Sequence, residues 1–208
     1  MTDTAMRRNK PYAARMAPSE RREQLLDSVL EIITTDGVGA VSVDGVARRA
    51  GVSRPVVYSL FIDTNDILRV SLDREEHRAL TQLAGALPLD QDDVAASLIQ
   101  LVETFLCAIA QAPQRWQAIY LISDSGTPAF HKRVHRARTT VIGQLKQAFR
   151  ASDTFDATTD PDLLARYVVA ALWDSGRLLL TEPDDYPHNR LLHALRQLIT
   201  TLIPLPIG

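Results

Sequence analysis

One cysteine in 208 residues removes two kinds of architecture at once. Cys107 has no partner for an internal disulfide and cannot build a cysteine-based zinc cluster. The fold must therefore be held by its apolar core, and a reducing cytoplasm fits the chain. Long apolar runs are missing too. The longest strictly apolar stretch, Val168 to Trp173, is far short of the roughly 18 residues that suggest a membrane span. No apolar segment follows the basic residues Arg7, Arg8 and Lys10, so no secretory leader is visible. Period-2 alternation is nowhere sustained, which leaves strands without a signal. There is no glycine-rich phosphate loop. Asp90, Asp92 and Asp93 read as the start of a helix rather than an acid–base pair. No catalytic constellation and no cofactor are expected.

Net charge is also small: 23 Lys and Arg against 25 Asp and Glu. Its distribution says more. The first 60 residues hold nine Lys/Arg and seven Asp/Glu, the remainder fourteen and eighteen. A mildly basic head on an acidic body points to DNA at the N-terminal end.

What is present is helical periodicity. Residues 1–18 lack it and read as a basic, disordered arm. Ser19 reads as an N-cap with Glu20 in the first turn, and Leu25, Val29, Ile32 and Ile33 lie on one helical face. Asp36, Gly37 and Gly39 end that helix. Two short helices follow, one after Ser42 to about Ala50, one from Ser53 to about Phe61. A connector helix is expected over 65–86, capped by Asp63 or Thr64. Beyond Pro88 the helices lengthen: 92–112, 114–123, 129–151, 161–181 after the Asp160 cap, and 188–203. The expectation is an all-α protein of about nine helices, with residues 19–64 as one domain and 65–208 as the other.

The stretch Ser42 to Phe61 carries the strongest signal. Val43, Val46, Ala47 and Ala50 are small or branched, as a helix crossing another at close range requires. Gly51 supplies a turn residue comfortable at positive φ. Val52 anchors the turn, Ser53 caps the second helix, and Val57 and Phe61 face inward. Arg54, Pro55, Val56, Tyr58 and Ser59 are left outside. This arrangement resembles the TetR family of one-component repressors, whose signature is roughly IAxxAGVSxxxxYxxF. Here Val46 to Ser53, then Tyr58 and Phe61, match it without a gap. Two positions depart: Thr64 replaces a lysine common in the family, and Leu60 replaces an aromatic or His.

The resemblance implies a helix-turn-helix that places its second helix in the major groove of operator DNA. Arg54 is the side chain there able to grip guanine through two hydrogen bonds. Pro55 and Val56 can pack on thymine methyls, and Ser59 can meet a base or a phosphate. Tyr58, Ser42, Ser53 and Thr64 would position the protein on the backbone. Arg48 and Arg49 can be either phosphate contacts or an ordinary solvated face.

Two such helices one turn apart require a homodimer. The last two helices carry its candidate interface: Leu164, Val168 and Leu172 on the first, Leu191, Leu195, Leu198 and Leu202 on the second. The resemblance places a small-molecule effector among the middle helices. Phe105, Cys107, Trp116, Tyr120 and Trp173 are the candidate contacts. His131 and His135 are four apart, but they have no third ligand and lie among Lys132, Arg133, Arg136 and Arg138, so no metal site is expected. Two alternatives stay open: an all-α binding protein or enzyme with incidental N-terminal helices, and a constitutive regulator without an effector. Salt-sensitive binding to a short palindromic duplex separates the first from a regulator. A cavity too small for a ligand would favour the second.

Overall fold

The computed structural model describes residues 16–87, 90, 93–125, 128–155 and 158–203. Most of the expected basic arm lies outside the described residues. Those residues form nine α-helices and no strand.

Helix α1 (Pro18–Asp36) starts one residue before Ser19. Pro18 at the first helical position has its φ already set for the helix and no N–H to satisfy, and Glu20 accepts the Ala17 N–H at 3.1 Å. Gly37, at φ +87°, ends the helix and leads into a single 3₁₀ turn. Helices α2 (Val43–Ala50) and α3 (Arg54–Tyr58) follow, with Gly51 between them at φ +66°, left-handed as its position requires. Helix α3 is shorter than its periodicity suggests: its last turn tightens, with the Leu60 N–H bonding the Val57 carbonyl three residues back. Helix α4 (Thr64–Leu83) is capped by Asp63, whose carboxylate accepts the Asp66 N–H at 2.8 Å, and ends in a second 3₁₀ turn.

Helices α5 (Val94–Gln111), α6 (Pro113–Asp124), α7 (Pro128–Ala151), α8 (Pro161–Thr181) and α9 (His188–Leu202) form the larger half. Among the described helices, α5 alone is long and apolar enough to cross a membrane by length and composition. Here it is a core helix: Leu98, Leu101, Val102, Phe105 and Ile109 are buried, and it packs on α4, α8 and α9.

Two cores result. The first gathers Leu25, Val29 and Ile33 of α1, Val46 of α2, Val57, Phe61, and Ile67, Leu68 and Leu72 of α4. Ala118 and Ile122 of α6 and Val134 of α7 close it from the other half. The second core is built by α5, α8, α9 and the inner faces of α6 and α7. The halves are therefore not beads on a string. Helix α4 serves both cores, and α1 sits directly on α6.

Candidate nucleic-acid interface and inner cavity

The α2–α3 pair has one face for packing and one for solvent. Val57 is fully buried and Phe61 nearly so, while Arg54, Pro55, Tyr58 and Ser59 are exposed and Val56 is half-buried. Two contacts from α1 hold the pair. The Arg22 guanidinium lies 5.0 Å from the Phe61 ring centre and donates to the Leu60 carbonyl at 3.1 Å. Gln24 donates to the Ala50 carbonyl at 3.3 Å.

The candidate DNA-facing residues stand in different local states. Ser42 accepts the Gly45 N–H at 3.0 Å and so caps α2. Ser53 occupies the cap position of α3 without a side-chain capping bond, leaving its hydroxyl for another acceptor or donor. Tyr58 is 52% exposed. The Ser59 hydroxyl donates to the Val56 carbonyl at 2.7 Å. Thr64 opens α4 and is half-buried. Arg54 is engaged already: its Nε lies 2.8 Å from the Asp44 carboxylate, and both side chains are more than half exposed.

The structure also separates two neighbouring arginines that spacing treats alike. Arg49 is tied to α1 by Glu31 at 3.1 Å and Asp36 at 2.8 Å. Arg48 is exposed with no ion-pair partner among the described residues, beside Ser42. It joins the candidate phosphate contacts.

Between α4, α5, α6, α7 and α8 lies an apolar cavity of about 120 Å³. Phe105, Trp116 and Trp173 line it. Phe105 meets Trp116 edge to face at 5.2 Å, and Tyr120 leans on Trp173 at 4.2 Å. Tyr120 lies behind the wall: its hydroxyl donates to the Trp173 carbonyl at 2.7 Å, and burial pushes its pKa well above the usual phenol range. Gly176 makes room for it.

Cys107 is placed differently from the other cavity candidates. It lies on the exposed side of α5, 3.6 Å from the His188 ring, off the stripe that faces inward. Among the described residues no cluster of His, Cys, Asp and Glu could hold a metal.

The candidate interface leucines also divide. Leu164, Val168, Leu172, Leu191 and Leu195 are buried in the protomer's own core, and Leu172 lines the cavity. Leu198 and Leu202 are exposed, together with Leu163 and Tyr167 of α8. Each helix has two apolar faces, and periodicity cannot say which one the protomer uses first. Packing settles it, and the second face is the one left open.

Two ion-pair clusters span the joint between halves. Glu75 of α4, essentially buried, accepts from Arg74 at 2.7 Å and from Arg115 of α6 at 3.1 Å. Arg74 reaches on to Glu23 at 3.1 Å and Asp27 at 2.8 Å of α1. Burial opposes its charge, but Glu75 and Asp27 outweigh that and raise its pKa further. In the second cluster Arg133 of α7 pairs with Asp73 and Glu76 of α4. Neither cluster is legible from local sequence, because the partners are some 40–60 residues apart.

Comparison with known proteins follows the same division. Residues 25–70 match the family described as bacterial regulatory proteins, tetR family. The transcriptional activator FasR of Mycolicibacterium smegmatis is 30% identical over 127 residues, 58% of either chain. The regulator BetI of Cronobacter sakazakii is 35% identical over 85 residues, 40% of this chain and 42% of BetI. The chain thus spans about half the length of the curated relatives it matches. A TetR-like transcriptional regulator from Rhodococcus sp. RHA1 superposes with a TM-score of 0.74 at 21% identity, covering 89% of this chain and 96% of that one.

Proposed function

Because the chain belongs to the TetR family of transcriptional regulators, we propose that it is a ligand-responsive repressor that binds a palindromic operator as a homodimer and leaves it when a small molecule fills the inner cavity. The observation that carries this reading is the double service of α4. Its first half packs into the core that carries α2 and α3, and its second half walls the cavity.

Ser53 to Tyr58 present the reading face, with Arg54 for a guanine edge and Pro55 and Val56 for thymine methyls. Ser42, Arg48, Ser53, Tyr58, Ser59 and Thr64 hold the phosphates. Any ligand that fits the cavity better when α4 is tilted shifts the protein toward that tilt. A tilt of α4 moves α3, and two recognition helices displaced from one-turn spacing cannot both enter the major groove on one face of DNA. The setting is the cytoplasm, where the DNA is.

The test is a binding titration on a short palindromic duplex drawn from the promoter region beside the gene, with a promoter–reporter assay in parallel. Specific, salt-dependent binding and a rise in reporter output on deletion of the gene support repression. A fall in output on deletion makes the protein an activator. Equal affinity for the duplex and a scrambled one refutes the operator. Coupling typical of such switches, about 1–3 kcal/mol, would change operator affinity roughly 5–150-fold on ligand binding.

A further inference from the structure

The cavity is apolar except for two charged side chains that reach its lining, Glu76 and Arg138. They are not equivalent. Glu76 is already engaged by Arg133, whose Nε donates to it at 2.5 Å and whose guanidinium also pairs with Asp73. Arg138 has no carboxylate partner among the described residues. Its Nε is buried without an acceptor, and its guanidinium stands 4.9 Å from the centre of the Trp173 ring. A second lining residue shares the defect. Trp116 is 4% exposed, and its indole N–H is buried without an acceptor. Native interiors leave few buried donors unmade, because each such group has given up its water without gaining a partner.

We propose that the cavity takes a small apolar monocarboxylate, its carboxylate accepting from Arg138 and its hydrocarbon body among Leu101, Phe105, Val141 and Leu172. This rests on the reading of the cavity as the effector site and gives that effector a chemistry. The charge argument is direct. A cation would have to displace Arg133 from Glu76 and would sit beside Arg138. A neutral ligand would leave the half-buried guanidinium, which has no carboxylate partner among the described residues, without a counter-charge. A carboxylate supplies the acceptor that Arg138 lacks, through the stronger, charge-assisted kind of hydrogen bond. Trp116 offers a further donor from the same lining. Size sets the body. An apolar cavity of about 150 Å³ holds benzene, so about 120 Å³ suits one ring or a chain of similar volume.

Both tryptophans of the chain line this cavity, so intrinsic emission reports its filling directly. The probes are benzoate, benzyl alcohol and benzylamine, with hexanoate and 1-hexanol to separate a ring from a chain. Each acid is expected to bind about 10- to 100-fold more tightly than its alcohol, the scale of a hydrogen bond to a charged group. Arg138→Gln should abolish that preference while keeping the alcohol's affinity. Arg138→Lys should restore part of it and guards against a folding defect in the glutamine variant. An alcohol or the amine binding as tightly as the acid, an unchanged preference in Arg138→Gln, or no binding by any probe at millimolar concentration overturns the proposal. The same samples are titrated against operator. Acids that bind without changing operator affinity would leave the ligand chemistry standing and refute the effector role. Release by the amine or the alcohols would do the reverse.

Discussion

Two residues show how much a single contact decides. Arg54 sits in an exposed ion pair with Asp44, and such pairs are worth about 0–1 kcal/mol. The pair parks the guanidinium without holding it, so DNA can take it over. Arg54→Ala should lower the ratio of specific to nonspecific affinity by the value of one bidentate base contact, about 1–3 kcal/mol. Asp44→Asn should raise affinity for specific and scrambled duplexes alike, because it removes a negative charge from the surface proposed to face phosphates. Fluorescence anisotropy on the two duplexes measures both. A ratio unchanged by Arg54→Ala would move base reading to another side chain. Gly176 is the second case. A Cβ there would lie 2.5 Å from the Tyr120 hydroxyl and 2.7 Å from the Ile109 δ-methyl. Gly176→Ala should cost about 1–3 kcal/mol by overpacking, read as a lower urea midpoint, and should disturb the Tyr120–Trp173 contact behind the cavity.

Among the elements, α4 is the one on which everything converges. Its N-terminus is fixed by two side-chain bonds: Asp63 accepts the Asp66 N–H, and Asp66 accepts the Ile62 N–H at 3.1 Å. That bond, with the Arg69 partner, lowers the Asp66 pKa. A carboxylate held below its unfolded value stabilises the fold above that value, about 3.9, and the contribution disappears as pH falls through the lowered folded one. Asp66→Asn should therefore be less stable than the wild type at neutral pH, with the difference closing in acid. A gap independent of pH would mean that the carboxylate charge is not what holds the joint. In the middle of α4, Glu75 anchors Arg74 and Arg115 in near-complete burial. Removing one partner of a buried pair costs about 3–5 kcal/mol when the other is left uncompensated. Here Arg115 loses its carboxylate while Arg74 keeps Glu23 and Asp27. Glu75→Leu should lower unfolding free energy by less than that, with the loss falling mainly on the α4–α6 contact that Arg115 makes. Unfolding monitored separately on each half, by hydrogen exchange, distinguishes a shared loss from a local one.

At the scale of the whole molecule the open question is what covers α8 and α9. Leu163, Tyr167, Leu198 and Leu202 are exposed apolar side chains on these two helices, and apolar surface gathered in this way is where association is tested first. Tyr167→Glu and Leu198→Glu should convert a dimer to a monomer in sedimentation without loss of helicity. Leu195→Glu should instead unfold the protomer, because Leu195 is buried in its own core. A wild-type monomer at micromolar concentration would refute the dimer, and a dimer that survives both exposed-face variants would place the interface elsewhere.

The element order was readable from the sequence because helix caps, glycine turns and 3.6-residue periodicity are local properties. So was the α2–α3 motif, since its small residues, the left-handed Gly51 and the inward Val57 and Phe61 fall within one short stretch. The family likeness followed from that stretch. What lies far apart in the chain stayed hidden. Which apolar face of α8 and α9 turns inward depends on α5 and α7. Whether Cys107 faces a cavity or solvent depends on where α9 lies. Arg48 and Arg49 differ only because α1 brings Glu31 and Asp36 to one of them. The same holds for Arg138, whose charge reads as part of a basic helix until folding buries its Nε beside Trp173 with no acceptor in reach. Local sequence sets which residues can be helical and which can be buried. Tertiary packing alone decides what each buried or charged group finds opposite it.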